Sequence, residues 1–226
     1  PKKAVVASAS DDTTWRLIAL QQGELIMSGE GHQAWIAGIA MHPKGIMAAT
    51  ASGDKTIKLW DFASNSCKQT LKMHTDGVWC VDFIETGDLL ASGSLDHSAR
   101  VWDVETGKCR VTLRGHVDSV NSVVWQPYTN LLATASADKT VSLWDARANY
   151  CVQTFYGHTN AVSRVAIPIK GDQLASCDAE GNVILWDTRA VTQRAAFACG
   201  PHAANCVAFD KSGGLLAVAS DDSSIR

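Results

Sequence analysis

Apolar residues in this chain fall into short runs broken by turns, and the runs keep one order along the sequence. Val120 to Trp125 is β-branched and apolar until Gln126-Pro127 interrupts it. Leu131 to Ser136 follows, apolar and small, and then Ala137-Asp138-Lys139, a tight turn in which an aspartate bonds its own backbone. Thr140 to Trp144 alternates with the two-residue period of a strand. Cys151 to Phe155 is more polar, as suits an outer edge. The pattern predicts four antiparallel strands in each unit. Units start near residues 35, 78, 120 and 162, and no helix longer than two turns is expected between residues 35 and 200.

The same order returns every 42 residues. Trp60-Asp61, Trp102-Asp103, Trp144-Asp145 and Trp186-Asp187 keep that interval, and so do His32, His74, His116 and His158. Asp12, Asp54, Asp96, Asp138, Glu180 and Asp222 carry it towards both ends. A period of this length, opening on Gly-His and closing on Trp-Asp, resembles the WD repeat, in which four strands make one blade of an all-β propeller. The reading gives a partial blade over residues 1–30, blades over 31–73, 74–115, 116–157 and 158–200, and a further partial blade over 201–226. A ring of seven such units needs about 294 residues, so a fragment of a seven-bladed domain is expected, with about 68 residues outside it.

Histidine, hydroxyl and aspartate invite a catalytic reading, but the set is repeated. His32, Thr50, Asp54 and Trp60 return as His74, Ser92, Asp96 and Trp102, and again as His116, Thr134, Asp138 and Trp144. A catalytic constellation occurs once, whereas a set present in every unit is scaffold. These side chains are expected to form buried hydrogen-bond networks tying the turn before the first strand to the turn between the second and third. In the next unit Glu180 stands at the aspartate position beside His158, Ser176 and Trp186. Gly200 and Val218 then occupy the histidine and hydroxyl positions, and Ile18 takes the tryptophan position of the first unit. The network is expected to decay there, leaving apolar packing to hold less rigid blades.

Composition removes several classes of function. Hydrophobic residues make up 46% and charged residues 19%, with a net charge of −3, so the chain is neither a disordered tail nor short of core. Twenty Lys and Arg against 23 Asp and Glu, scattered along the chain, leave no nucleic-acid or membrane footprint. No apolar run reaches the ~18 residues a membrane-spanning helix needs. There is no phosphate loop, no HExxH pair and no isolated nucleophile, so neither an enzyme nor a cofactor or metal protein is expected. The seven cysteines include Cys67, Cys109 and Cys151 at one repeated position, too far apart for disulfides. Reduced thiols in a cytoplasmic setting are expected.

Residues between the framework positions are more specific. Ala91-Ser92-Gly93-Ser94-Leu95-Asp96-His97, Gly115-His116-Val117-Asp118-Ser119-Val120-Asn121 and Thr134-Ala135-Ser136-Ala137-Asp138-Lys139-Thr140 occur together. They are joined by Trp144-Asp145-Ala146-Arg147, Ala175-Ser176-Cys177-Asp178-Ala179 and Leu185-Trp186-Asp187-Thr188-Arg189. In combination, from about residue 30 to residue 226, these resemble the WD domain of the sperm-associated antigen 16 family. The resemblance implies a scaffold in the central apparatus of the ciliary and flagellar axoneme, needed for beating. Its implied partners are other central-apparatus proteins, with direct contact to microtubules left open. Two alternatives stand beside it: an adaptor for signalling or ubiquitin-ligase substrate capture, and a regulatory partner of a microtubule-severing ATPase.

A partner surface is weakly marked. Ala37, Trp79, Asn121, Ser163 and Asn205 share a register at the start of the innermost strands. Trp79 is aromatic where its counterparts are small or polar, which suits an interface anchor and equally suits packing on a neighbouring blade. Asn121, Trp35 and Tyr128 complete the candidate set. Lys170 and Arg164 add positive charge without forming a patch for an acidic tubulin tail.

Overall fold

The computed structural model describes residues 4–226, so the first three positions of the unit 1–30 lie outside the described residues. A three-stranded sheet comes first, β1 (Val5–Ala9), β2 (Trp15–Ala19) and β3 (Leu25–Gly29). Four four-stranded sheets follow. They are β4 to β7 (Ile36–Met41, Met47–Ser52, Thr56–Asp61, Ser66–Lys72) and β8 to β11 (Val78–Phe83, Leu89–Ser94, Ser98–Asp103, Cys109–Arg114). Next are β12 to β15 (Val120–Trp125, Leu131–Ser136, Thr140–Asp145, Tyr150–Tyr156) and β16 to β19 (Val162–Ala166, Gln173–Asp178, Asn182–Asp187, Thr192–Ala198). The pair β20 (Ala204–Phe209) and β21 (Leu216–Ser220) closes the order. Every pairing is between consecutive antiparallel strands, and there is no helix among the described residues.

Each four-stranded sheet is one blade with its first strand innermost; β1 stands at the second-strand position of its sheet, and β20–β21 are the inner two strands of the last. The inner strands β4, β8, β12, β16 and β20 pack one against the next, and the second strand of each blade touches the inner strand of its neighbour. The core therefore lies between blades. Ile57, Leu59 and Leu71 of one blade meet Val78, Phe83, Leu90 and Trp102 of the next in a single buried cluster. Equivalent clusters join Val101 and Leu113 to Val120 and Trp125, and Val141 and Phe155 to Val162 and Leu174. A sheet with two apolar faces is stable only when both are covered, and stacking covers them without a separate layer.

Local chemistry explains the recurring letters. The aspartate after each tryptophan caps the turn into the fourth strand: Asp61, Asp103, Asp145 and Asp187 accept from the backbone N–H of Ser64, Thr106, Ala148 and Ala190 at 2.8–3.1 Å. The second residue of each inner strand, from Ala37 to Asn205, is a β-bulge that the facing strand skips. Next to the first bulge, a Cβ on Gly38 would stand 2.8 Å from the carbonyl oxygen of Trp79, so glycine lets two inner strands approach.

The first sheet solves its packing differently from the others. Trp15 faces Gly29 across the β2–β3 pair, where the later blades put Ile57 against Leu71, Ala99 against Leu113 and Val141 against Phe155. The indole of Trp15 is fully buried, 5.5 Å from Trp60, and occupies the space a side chain at position 29 would need. Its Nε1–H has no partner, whereas the indoles of Trp60, Trp102, Trp144 and Trp186 all donate to a hydroxyl.

Candidate functional site

Four histidines stand in closed hydrogen-bond chains. In the second blade the Trp102 indole N–H donates to Ser92 Oγ at 2.8 Å, and Ser92 Oγ lies 2.8 Å from His74 Nε2. His74 Nδ1 reaches Asp96 Oδ2 at 2.8 Å. The hydroxyl has accepted from the indole, so its own hydrogen goes to Nε2 and the imidazole donates from Nδ1 to the carboxylate. Trp60, Thr50, His32 and Asp54 repeat the chain at 2.8 Å for each link. Trp144, Thr134, His116 and Asp138 do so at 2.7–2.8 Å. Each aspartate also accepts the backbone N–H after its histidine, which fixes the loop before the inner strand.

The fourth blade corrects the expectation that the network decays there. His158 Nδ1 bonds Asp178 Oδ2 at 2.9 Å, not Glu180, and Ser176 Oγ bridges to Trp186 as in the other blades. Asp178 occupies the register of Ser52, Ser94 and Ser136, whose hydroxyls accept the backbone N–H two residues on. Its Oδ1 takes over that bond, from Glu180 N at 3.0 Å, while its Oδ2 serves the histidine. Asn182 donates to both oxygens. Glu180 is left on the surface, bonded to Thr159. The change from serine to aspartate at 178 was the signal in the sequence.

Burial and hydrogen bonding compete in the ionisation of these groups. It pulls His32, His74 and His158 below the ordinary imidazole value, against the opposing pull of their aspartates. For Asp54, Asp138 and Asp178 burial pushes upward, but hydrogen bonds from hydroxyl, backbone and imidazole donors outweigh it and hold the carboxyls low. The result is a neutral imidazole beside an ionised carboxylate, locked among side chains that all have partners. Such a unit presents no free base and no nucleophile poised to attack.

The candidate partner residues divide. Trp35 and Trp79 come together across two adjoining blades, with rings stacked at 4.6 Å and an interplanar angle of 25°. Trp35 lies over Gly53, whose missing side chain gives the indole its seat. Trp79 is 36% exposed, so the pair is packed and still open to solvent on one side. Asn121 is used internally. Its Nδ2 donates to the Val162 carbonyl of the next blade at 2.9 Å and its Oδ1 accepts from Ser119. It is a tie between blades rather than a free contact.

Tyr128 lies at the other end of the inner strands, 73% exposed beside an open groove of about 830 Å³. The corresponding turn in four other sheets places a glycine in the left-handed region, Gly45, Gly87, Gly171 and Gly213, in register with Thr129. Here Tyr128, one residue earlier, takes φ +59°. A non-glycine residue there costs of order 1 kcal/mol. Asp82 lies at the groove floor, where it accepts the backbone N–H of Trp125 at 2.9 Å, and burial lifts its carboxyl to about 6. The sequence marked Tyr128 but gave no sign of Asp82 or the groove.

Among the described residues no cluster of three or more His, Cys, Asp and Glu is arranged for a metal ion. All seven cysteines are free; Cys67, Cys151 and Cys206 are exposed, Cys80, Cys177 and Cys199 are buried, and Cys109 is intermediate. Burial pushes the thiols of Cys80 and Cys177 up to about 12.

A family model described as "WD domain, G-beta repeat" matches residues 23–61, 65–103, 107–145, 149–187 and 197–226. Nuclear distribution protein PAC1 of Scheffersomyces stipitis is 41% identical over 68 residues, 27% of this chain and 13% of that protein. A probable coatomer subunit beta' of Caenorhabditis elegans is 49% identical over 57 residues, 25% of this chain and 6% of its own length. COMPASS component SWD3 of Saccharomyces cerevisiae is 34% identical over 82 residues, 36% and 26% respectively. The matched stretches thus span about a quarter of these relatives or much less. Five matched repeats over most of its length, folded as Trp-Asp blades, place the chain in the WD-repeat family of β-propeller proteins.

Proposed function

We propose that this protein is a non-enzymatic protein-interaction scaffold of the central apparatus in the ciliary and flagellar axoneme. The scaffold part rests on one observation above all: the recurring histidine, hydroxyl and aspartate sets, which hold four of the seven histidines, are consumed in a repeated structural network. What remains available is surface, namely the Trp35–Trp79 stack on one face and the groove beside Tyr128 on the other. The axonemal part rests on the resemblance of the residues between about 30 and 226 to the sperm-associated antigen 16 family. Central-apparatus proteins are the partners it implies, and microtubule contact is compatible with it. A second reading, an adaptor resembling the nuclear distribution proteins, is favoured by the 41% identity of one stretch to PAC1.

Extraction of axonemes separates the two. A bridging subunit held at several sites resists detergent and leaves only with rising salt, because linked contacts raise one another's local concentration. Retention with central-pair markers, lost in axonemes without the central pair, is the expected result. Release with soluble proteins in detergent would overturn the axonemal placement and promote the adaptor.

A further inference from the structure

We propose that the groove between the turns at residues 84–89 and 126–130 binds a partner polypeptide segment that pairs an apolar side chain with a lysine or arginine. Its walls are aromatic and aliphatic: Phe83 and Trp125 lie inward, and Tyr128 and Ile169 stand exposed at the rim. Its charge is one-sided. Asp82, Glu85 and Asp88 line it against the single guanidinium of Arg147. Aromatic faces and carboxylates around one opening suit a cation on an apolar stem, which is what a basic side chain offers. An acidic segment would meet three like charges.

The backbone fixes the rim of the groove. In the corresponding turns Gly45, Gly87, Gly171 and Gly213 take the left-handed conformation in register with Thr129, whereas here it falls one residue earlier, on Tyr128, whose ring stands in solvent. The turn is also pinned, since Tyr128 N–H donates to Glu85 at 3.3 Å and Thr129 N–H to Gln126 O at 3.3 Å. The turn that carries the ring is therefore set before any partner arrives.

The site deepens the scaffold reading and is independent of the axonemal placement, which extraction tests separately. The probe is an array of acetylated pentapeptides carrying Leu, Ile or Phe beside Arg, Lys, Gln or Glu, titrated into the isotope-labelled 226-residue chain. Basic members are expected to shift the amide signals of Glu85, Thr129 and Asn130, and Glu members to leave them in place. Tyr128→Gly removes the ring and relieves the strain, so its melting temperature should hold or rise while affinity falls about tenfold or more. Glu85→Lys together with Asp88→Lys should reverse the preference between basic and acidic peptides. Absence of shifts from every array member, equal shifts from basic and acidic members, or undiminished binding by Tyr128→Gly would each overturn the proposal.

Discussion

A single residue, Asp178, shows how the buried network tolerates change. One carboxylate does the work that a serine and an aspartate share in the other blades, because its two oxygens reach the backbone N–H of Glu180 and the His158 ring at once. Asp178→Ala should therefore lower stability by about 1–3 kcal/mol, since it orphans buried donors, while Glu180→Ala should stay within about 0.5 kcal/mol. Chemical denaturation of the two variants checks this, and equal losses would contradict the assignment. The same chains fix how stability responds to acid. Imidazoles held below the ordinary 6.5 stay neutral in the fold while the unfolded chain takes up protons near that pH. Stability is thus full above about pH 6.5 and declines as pH falls through the lowered folded-state values. The aspartates, held below 3.8, add a second loss as pH drops under that value. Urea midpoints measured from pH 8 to pH 3 should be level first and then fall in two stages.

At the scale of the strand and the blade, the two-residue alternation and the 42-residue period carried nearly all the information. Inner strands begin at Ile36, Val78, Val120 and Val162 because β-branched runs start there and Pro, Gly or Asp-rich turns end them. What escaped was pairwise. Trp15 reads as an oddity until Gly29 is seen opposite it, and neither residue signals the exchange of volume by itself. The pair makes a prediction. Gly29→Leu should destabilise by about 1–3 kcal/mol through overpacking against the indole, and adding Trp15→Ile should recover most of the loss by restoring the pattern of the later blades. A double-mutant cycle read by thermal unfolding decides it. The candidate surface was legible in part for a similar reason. Trp35 and Trp79 were marked one at a time, and their stacking needed two blades placed side by side. Asn121 carries no mark in sequence to separate a tie between blades from a free contact.

For the whole molecule, stability is a property of interfaces between neighbours, since each cluster of buried side chains joins consecutive blades. Such an array opens piecewise, one interface at a time. The free cysteines turn that into something readable. Cys80 sits in the cluster with Val120, between two complete blades, and Cys177 in the cluster with Ala204, beside the two-stranded sheet. With thiols pushed up to about 12, neither reacts until its interface parts. Cys67, Cys151 and Cys206 are exposed already. Alkylation followed by mass spectrometry should label the exposed set at once, Cys177 after a delay, and Cys80 last. The order of mass increments is then a clock of blade separation, written into the protein without any added probe.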